Sequence, residues 1–296
     1  MRTCQFQIFR ESRLNRVWGL SDPVFVGRIF SWSIAMTSIS NVERFKQKIQ
    51  DGQIVVGTSV QVTDPFVSEL AAEADNDFTW IEMEHAYITI EHALGHVMAV
   101  RGSRTAPLIR VPYNDPNVIK SYADLAPAGI IVPMIKSAED ARQAVQACRY
   151  PPHGIRGFGP VRNMFGKQSM AEYLEVAQDE LMVIAHIETI EAVREIDEIL
   201  ATPGLDGISL GRNDLSGSLN KLGQHSDPEV LEAIDTVLTK ARQTDLSVGA
   251  SIGYEPELVK DWWKRGVQWF ALGDDLAHMF DGFSKVVQET REIGRG

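Results

Sequence analysis

Eight short apolar runs alternate with longer amphipathic stretches, no glycine-rich dinucleotide turn follows the first run, and the chain is 296 residues long. Together these predict an α/β fold, a single (β/α)8 TIM barrel, which typically needs about 250 residues. The runs are Ile54–Val60, Phe78–Met83, Pro107–Val111, Gly129–Met134, Leu181–Ile187, Asp206–Leu210, Leu246–Ile252 and Val267–Leu272. Several are nearly continuous in Ile, Val, Leu and Met, as strands buried on both faces are. Helical stretches lie between them, among them Ser137–Arg149, Glu191–Leu200, Pro228–Gln243 and Pro256–Arg265. The last begins with Glu255-Pro256, proline at a first helical turn, and Gly266 closes it. Right-handed crossovers close eight such repeats into a barrel. A doubly wound open sheet is the alternative, but its Gly-rich turn is missing.

One connection stands out by length. Tyr150-Pro151-Pro152-His153-Gly154-Ile155-Arg156-Gly157-Phe158-Gly159-Pro160 opens a Gly/Pro-rich segment that runs to Gln178. A loop of that size in a compact fold is more often functional than not. Neither its glycines nor Gly166-Lys167 match a nucleotide-binding pattern.

The rest of the composition sets limits. A net charge of -11 excludes general nucleic-acid binding, since nothing basic enough to track phosphates is present. Cys4 and Cys148 have no metal-type spacing, so a reducing, cytoplasmic compartment is expected. No apolar run approaches the roughly 20 residues of a membrane span. The first thirty-five residues carry Arg2, Arg10, Arg13, Arg16 and Arg28 against Glu11 and Asp22. Such a segment reads either as a mitochondrial transit sequence or as an extension without a role in the fold, upstream of a start at Met36. Residues 1–39 are therefore set apart as an extension, and 40–296 are read as one barrel domain.

Barrel enzymes gather their chemistry at the C-terminal ends of the strands. Here those ends read Glu82-Met83-Glu84-His85, Arg110, His186-Ile187-Glu188, Gly211-Arg212-Asn213-Asp214 and Gly273-Asp274-Asp275. Any one of these charges could be a solvated rim; the set points to a site. Glu188 and Asp214 end neighbouring strands about 4.8 Å apart, so their carboxylates can converge on one ion. Oxygen ligands select a hard cation such as Mg²⁺ or Mn²⁺, with water or substrate oxygens completing its shell. Arg110 suits a carboxylate or a developing oxyanion. His85, directly after a strand and flanked by acids, is the candidate general base. No strand contains a lysine, and Lys136 lies beyond the fourth run. Imine chemistry therefore has no good nucleophile.

These motifs resemble the HpcH/HpaI aldolase family, the class II pyruvate aldolases that include macrophomate synthase. The resemblance spans Val42 to Val287 and rests on Asp77-Phe78-Thr79-Trp80-Ile81-Glu82-Met83-Glu84-His85-Ala86, Asn114-Asp115-Pro116, Gly129–Met134, Arg149–Gly157, His186-Ile187-Glu188-Thr189 and Gly211-Arg212-Asn213-Asp214-Leu215-Ser216. It implies that Glu188 and Asp214 bind a divalent metal (Mg²⁺, Mn²⁺ or Co²⁺) and that a small 2-oxo acid chelates it. It also places Arg110 on the keto or enolate oxygen and backbone amides of Gly211, Arg212, Asn213 and Asp214 on the carboxylate. His85 would form an acid–base dyad with Asp124 of a neighbouring subunit, Glu82 would shape the substrate pocket, and Arg156 would lie near the site or a subunit contact. Similar proteins are homo-oligomers, trimers or hexamers, often with the last helix exchanged. Two positions depart from the family pattern. Glu82 stands where Asp is common, and Asp124-Leu125-Ala126-Pro127-Ala128 carries a proline in a stretch that more often bears glycine.

The expected reaction is cleavage of a 4-hydroxy-2-oxo acid to pyruvate and an aldehyde. Oxaloacetate decarboxylation or macrophomate synthase-like bond formation would use the same enolate. A CoA-thioester lyase should need a basic groove that the sequence does not display. A non-catalytic binding barrel would have no need of Glu188, Asp214, Arg110 and His85 together.

Overall fold

A computed structural model describes residues 40–167 and 169–294; the expectations for residues 1–39 lie outside that range. The eight apolar runs are all strands: β1 (Val55–Val60), β2 (Phe78–Glu82), β3 (Ala106–Arg110), β4 (Gly129–Val132), β5 (Met182–Ile187), β6 (Gly207–Leu210), β7 (Ser247–Ile252) and β8 (Trp269–Asp274). They pair in sequence order as a closed parallel barrel, β8 returning to β1. The predicted (β/α)8 barrel is the observed fold.

The helices are α1 (Asn41–Gln50), α2 (Phe66–Glu73), α3 (Ile90–Ala99), α4 (Pro116–Ala123), α5 (Ala138–Cys148), α6 (Met170–Val176), α7 (Ile190–Arg194), α8 (Ile196–Leu200), α9 (Arg212–Ser218), α10 (Pro228–Ala241), α11 (Pro256–Lys264) and α12 (Asp275–Ile293). Local chemistry sets their starts. Ser137, Asp115 and Asp227 cap α5, α4 and α10 by accepting first-turn amides, and Pro116, Pro228 and Pro256 occupy first-turn positions that need no donor. The expected helix Glu191–Leu200 is two pieces, because Glu195 leaves helical geometry between α7 and α8 (φ -101°, ψ 19°). The long connection after α5 contains α6, capped by Ser169.

The core has two parts. Between strands and helices lies an aliphatic layer that includes Ile109, Ile130, Val183, Ile187, Ile208 and Leu210. Inside the barrel, Phe78, Trp80, Leu108, Ile131, Ile184 and Trp269 form a plug, with Phe45 of α1 closing its lower end. Phe45, Phe78 and Trp269 meet edge to face with centroids 5.6–6.0 Å apart. Gly249 makes room for this plug, since a Cβ there would lie 1.9 Å from the Trp269 ring. At the same end Asp206 accepts from Val183 N and from Arg149 and Lys46, tying α1 and α5 to the start of β6. Among the described residues no helix is long and apolar enough to cross a membrane.

Gly249→Ala should overpack the plug and lower stability by about 1–3 kcal/mol, read as a shift in the urea midpoint. Gly253→Ala, where a Cβ meets nothing within 4 Å, is the control. Equal midpoints for the two variants would contradict the packing described.

Candidate active site

Side chains alternate along a strand, so every second residue faces the barrel axis. On β2 the inward series is Phe78, Trp80, Glu82, continuing to Glu84; on β3 it is Leu108 and Arg110; on β5 it is Ile184 and His186, continuing to Glu188. Apolar side chains fill the lower levels and polar ones the top, at the strand C-termini. Pairing sets Glu82 beside Arg110 and His186 beside Ser209.

Arg110 is the centre of this level. Its guanidinium holds Glu82 Oε2 at 2.6 Å through both Nε and Nη2, and Nη1 lies 3.0 Å from Glu84 Oε2. It also sits over the Trp80 ring, 5.5 Å from the centroid. The Glu82 carboxylate is fully engaged: Oε2 also accepts from Trp80 Nε1 (3.1 Å), and Oε1 accepts the amides of Glu84 (2.8 Å) and His85 (3.0 Å). Glu82 thus faces Arg110 and its own turn, and it orients the segment that presents Glu84 and His85. His85 lies at the rim, its side chain 61% exposed and its Nε2 3.6 Å from Glu84 Oε2.

Glu188 is buried, with Oε1 accepting the Met134 amide at 2.6 Å and Oε2 lying 3.3 Å from His186 Nε2. His186 is buried as well, its Nδ1 2.6 Å from Ser209 Oγ, and burial holds it well below the ordinary imidazole range. Gly211 is required here by close approach. A Cβ would come within 2.6 Å of His186 Nε2 and 2.9 Å of Glu188 Cβ. Asp214 is exposed in the first turn of α9.

The electrostatics are out of balance. Burial pushes Glu84 and Glu188 up to about 7; Glu82 and Asp214 raise Glu84 further, and Glu84 and Asp214 raise Glu188. Arg110 lowers both but does not compensate the burial. The Oε2 of Glu84 is buried without a hydrogen bond of good geometry. A buried carboxylate oxygen whose guanidinium partner is shared with Glu82, set beside further carboxylates, fits a hard divalent cation. Among the described residues no three His, Cys, Asp or Glu side chains enclose an ion by themselves. That suits Mg²⁺-like binding through one or two carboxylates, where water and substrate supply the other oxygens.

Asp124 and Arg156 are not brought to this level. Asp124 ends α4, where the chain returns to the start of β4, and it pairs with Arg156 Nη2 at 2.6 Å. Arg156 is buried against Tyr150, 4.6 Å from its ring centroid. Both belong to the opposite end of the barrel from Glu188. Arg212 lies on the site side, 3.3 Å from Glu255 Oε1, and Asn213 next to it is exposed. The sequence reading left Glu84, His186, Ser209 and Met134 without roles, although the inward alternation Trp80-Glu82-Glu84 and Ile184-His186-Glu188 marks two of them.

A sequence profile of the HpcH/HpaI aldolase/citrate lyase family matches residues 58–281. The chain belongs to this family. A 4-hydroxy-2-oxo-heptane-1,7-dioate aldolase of Escherichia coli is 33% identical over 232 residues, covering 78% of this chain and 88% of that protein. A hydroxypyruvate/pyruvate aldolase of Pseudomonas aeruginosa is 32% identical over 237 residues, covering 80% and 88%. The solved HpcH/HpaI aldolase of Desulfitobacterium hafniense DCB-2 superposes with a TM-score of 0.78 at 30% identity, covering 83% of this chain and 96% of that one. As an HpcH/HpaI family aldolase, the chain is a carbon–carbon lyase.

The raised carboxylates give this HpcH/HpaI chain a pH signature. Without metal, the folded state holds protons on Glu84 and Glu188 up to about pH 7, whereas the unfolded chain releases them near the ordinary 4.5. Between those values the folded state binds more protons, so their contribution makes stability fall as pH rises. In EDTA, wild type should therefore lose stability relative to Glu84→Gln between about pH 4.5 and about pH 8, followed by urea unfolding. A difference that stays constant across this window would contradict the raised value of Glu84.

Proposed function

We propose that this chain is a divalent-metal-dependent aldolase that cleaves 4-hydroxy-2-oxo acids to pyruvate and an aldehyde. The observation that carries the reading is the polar level above the aromatic plug, where one fixed guanidinium sits among more carboxylates than it can neutralise. Glu188 and Asp214 would hold the cation, Mg²⁺, Mn²⁺ or Co²⁺. Bound there, it would supply Lewis-acid polarisation of the keto group. The relatives' names supply the substrate class, an aldol product built on pyruvate.

The remaining work falls to side chains of this chain. Arg110, locked by Glu82 and Glu84, presents its guanidinium without reorganising when negative charge develops on the keto oxygen. The first-turn amides of Arg212, Asn213 and Asp214, freed by Gly211, would receive the substrate carboxylate. His85, exposed at the rim, would take the proton of the 4-hydroxyl as the C3–C4 bond breaks. The bonding pair then rests on the pyruvyl fragment as an enolate, and a proton returned to C3 gives pyruvate. General acid–base help of this kind contributes about 10²–10⁴-fold.

Pyruvate release from a panel of 4-hydroxy-2-oxo acids and from oxaloacetate, with Mg²⁺, Mn²⁺, Co²⁺ or EDTA, tests this directly. Metal-dependent release should vanish in Glu188→Ala and fall by about 10²–10⁴ in His85→Ala. Release from oxaloacetate alone would replace the aldolase reading with a decarboxylase, and release from nothing would sink both.

Asp124 can join His85 only from a second copy of the chain, because its own strand-end site is at the far end of the barrel. The last helix supports self-association: in α12, Leu276, Met279, Phe280, Phe283, Val286 and Val287 form one exposed apolar stripe. A trimer or hexamer is the state proposed. Phe280→Asp with Phe283→Asp should dissociate it, seen as a lower mass by light scattering, and pyruvate release should fall with it. Full activity in a monomer would exclude a partner's Asp124 from the reaction.

A further inference from the structure

Two groups that no part of the proposed reaction uses converge on Glu188 from opposite sides. On one side is the Met134 amide, 2.6 Å from Oε1. On the other is the His186 ring, with Nε2 3.3 Å from Oε2. We propose that Met134 and His186 are positioning residues, a clamp that fixes the Glu188 carboxylate in the one orientation that leaves its outward face to a divalent cation. The proposal rests on the reading of Glu188 as a metal ligand.

Each arm of the clamp is itself held. With a cation bound, Glu188 is ionised and can only accept, so this arm uses the tautomer of His186 that carries its proton on Nε2. The other ring nitrogen meets Ser209 Oγ at 2.6 Å. The ring also packs edge-on against Trp80, 5.5 Å between centroids at 74°. With Ser209 and His186 both buried, rotation of the imidazole would break a hydrogen bond and a ring contact together. Such partners of a ligand fix its orientation, and their loss typically weakens metal affinity by about 10–100-fold.

The Met134 arm depends on backbone geometry. β4 stops at Val132, Pro133 offers no N–H, and Met134 is the next available donor. Its φ is +53°, in the left-handed region. There the chain turns out of the barrel immediately after the amide, and the Met134 side chain is left 44% exposed. The side chain therefore has little to do with holding this conformation in a packed interior. A β-branched residue is a true outlier at positive φ, so the sequence has room for Met here but not for Val.

The test is Mn²⁺ binding by the substrate-free protein, followed by electron paramagnetic resonance of free Mn²⁺, with circular dichroism to verify the fold. His186→Leu should weaken binding by about 10–100-fold. His186→Gln, which keeps an N–H donor, should recover most of the loss, an outcome that a purely space-filling role for the ring does not give. Met134→Val should also weaken binding. Ser209→Ala, which removes only the hydroxyl against the ring, serves where His186→Leu does not fold, and should weaken binding less. Wild-type affinity in His186→Leu, or in Ser209→Ala and Met134→Val together, overturns the clamp alone. A wild-type chain that binds no Mn²⁺ overturns the metal reading as well.

Discussion

A guanidinium ion at the mouth of an apolar barrel has to be surrounded by anions, because an isolated buried charge costs more than any packing around it can return. Arg110 meets this requirement through Glu82, whose two oxygens also capture the Trp80 indole and the amides of Glu84 and His85. One carboxylate thus connects the aromatic plug below, the cation beside it and the turn above. The extra methylene of Glu82, relative to an aspartate, belongs to a side chain that reaches all of these partners at once. Its substitution would disturb Arg110 and His85 together, although Glu82 has no free oxygen to offer a substrate.

The same alternation that makes the barrel also made much of its site readable. Strands buried on both faces are written as continuous apolar runs, so the eight strands could be placed within about two residues, the usual uncertainty of element ends. A polar residue at the inward position of a strand end is conspicuous against such a background, which is why Arg110 and Glu188 could be named. What resisted reading was of a different kind. The break at Glu195 depends on one residue's backbone angles, and the Met134 contact on a left-handed turn that nothing in Pro133-Met134 announces. Glu84 stood in plain view within Glu82-Met83-Glu84-His85 but drew no role, although its carboxylate lies 3.0 Å from Arg110 of β3.

Asp124 marks the limit of reasoning from a single chain. Helices of a (β/α)8 barrel return from the top of one strand to the bottom of the next, so a residue ending α4 is carried away from the strand C-termini by the topology itself. Its pairing with Arg156, from the long connection after α5, adds that segment to the same lower end. The Gly/Pro-rich loop, read as functional from its length, therefore does not reach the site of its own chain. Ile155, Phe158, Val161 and Phe165 are exposed along it, the pattern of a surface made to be covered.

Charge explains why the site needs more than its own residues. Glu82, Glu84 and Glu188 share Arg110 as a fixed cation, Asp214 adds a further negative charge, and burial already drives Glu84 and Glu188 toward the protonated form. A 2-oxo acid is itself an anion, and it would enter a mouth that repels it on a chain of net charge -11. Neutralising the carboxylates by protons would relieve the repulsion but remove the ligands. Neutralising them by a divalent ion relieves it and supplies a positive centre beside Arg110. On the proposed reading, the acidic excess therefore favours a substrate that arrives after a cation.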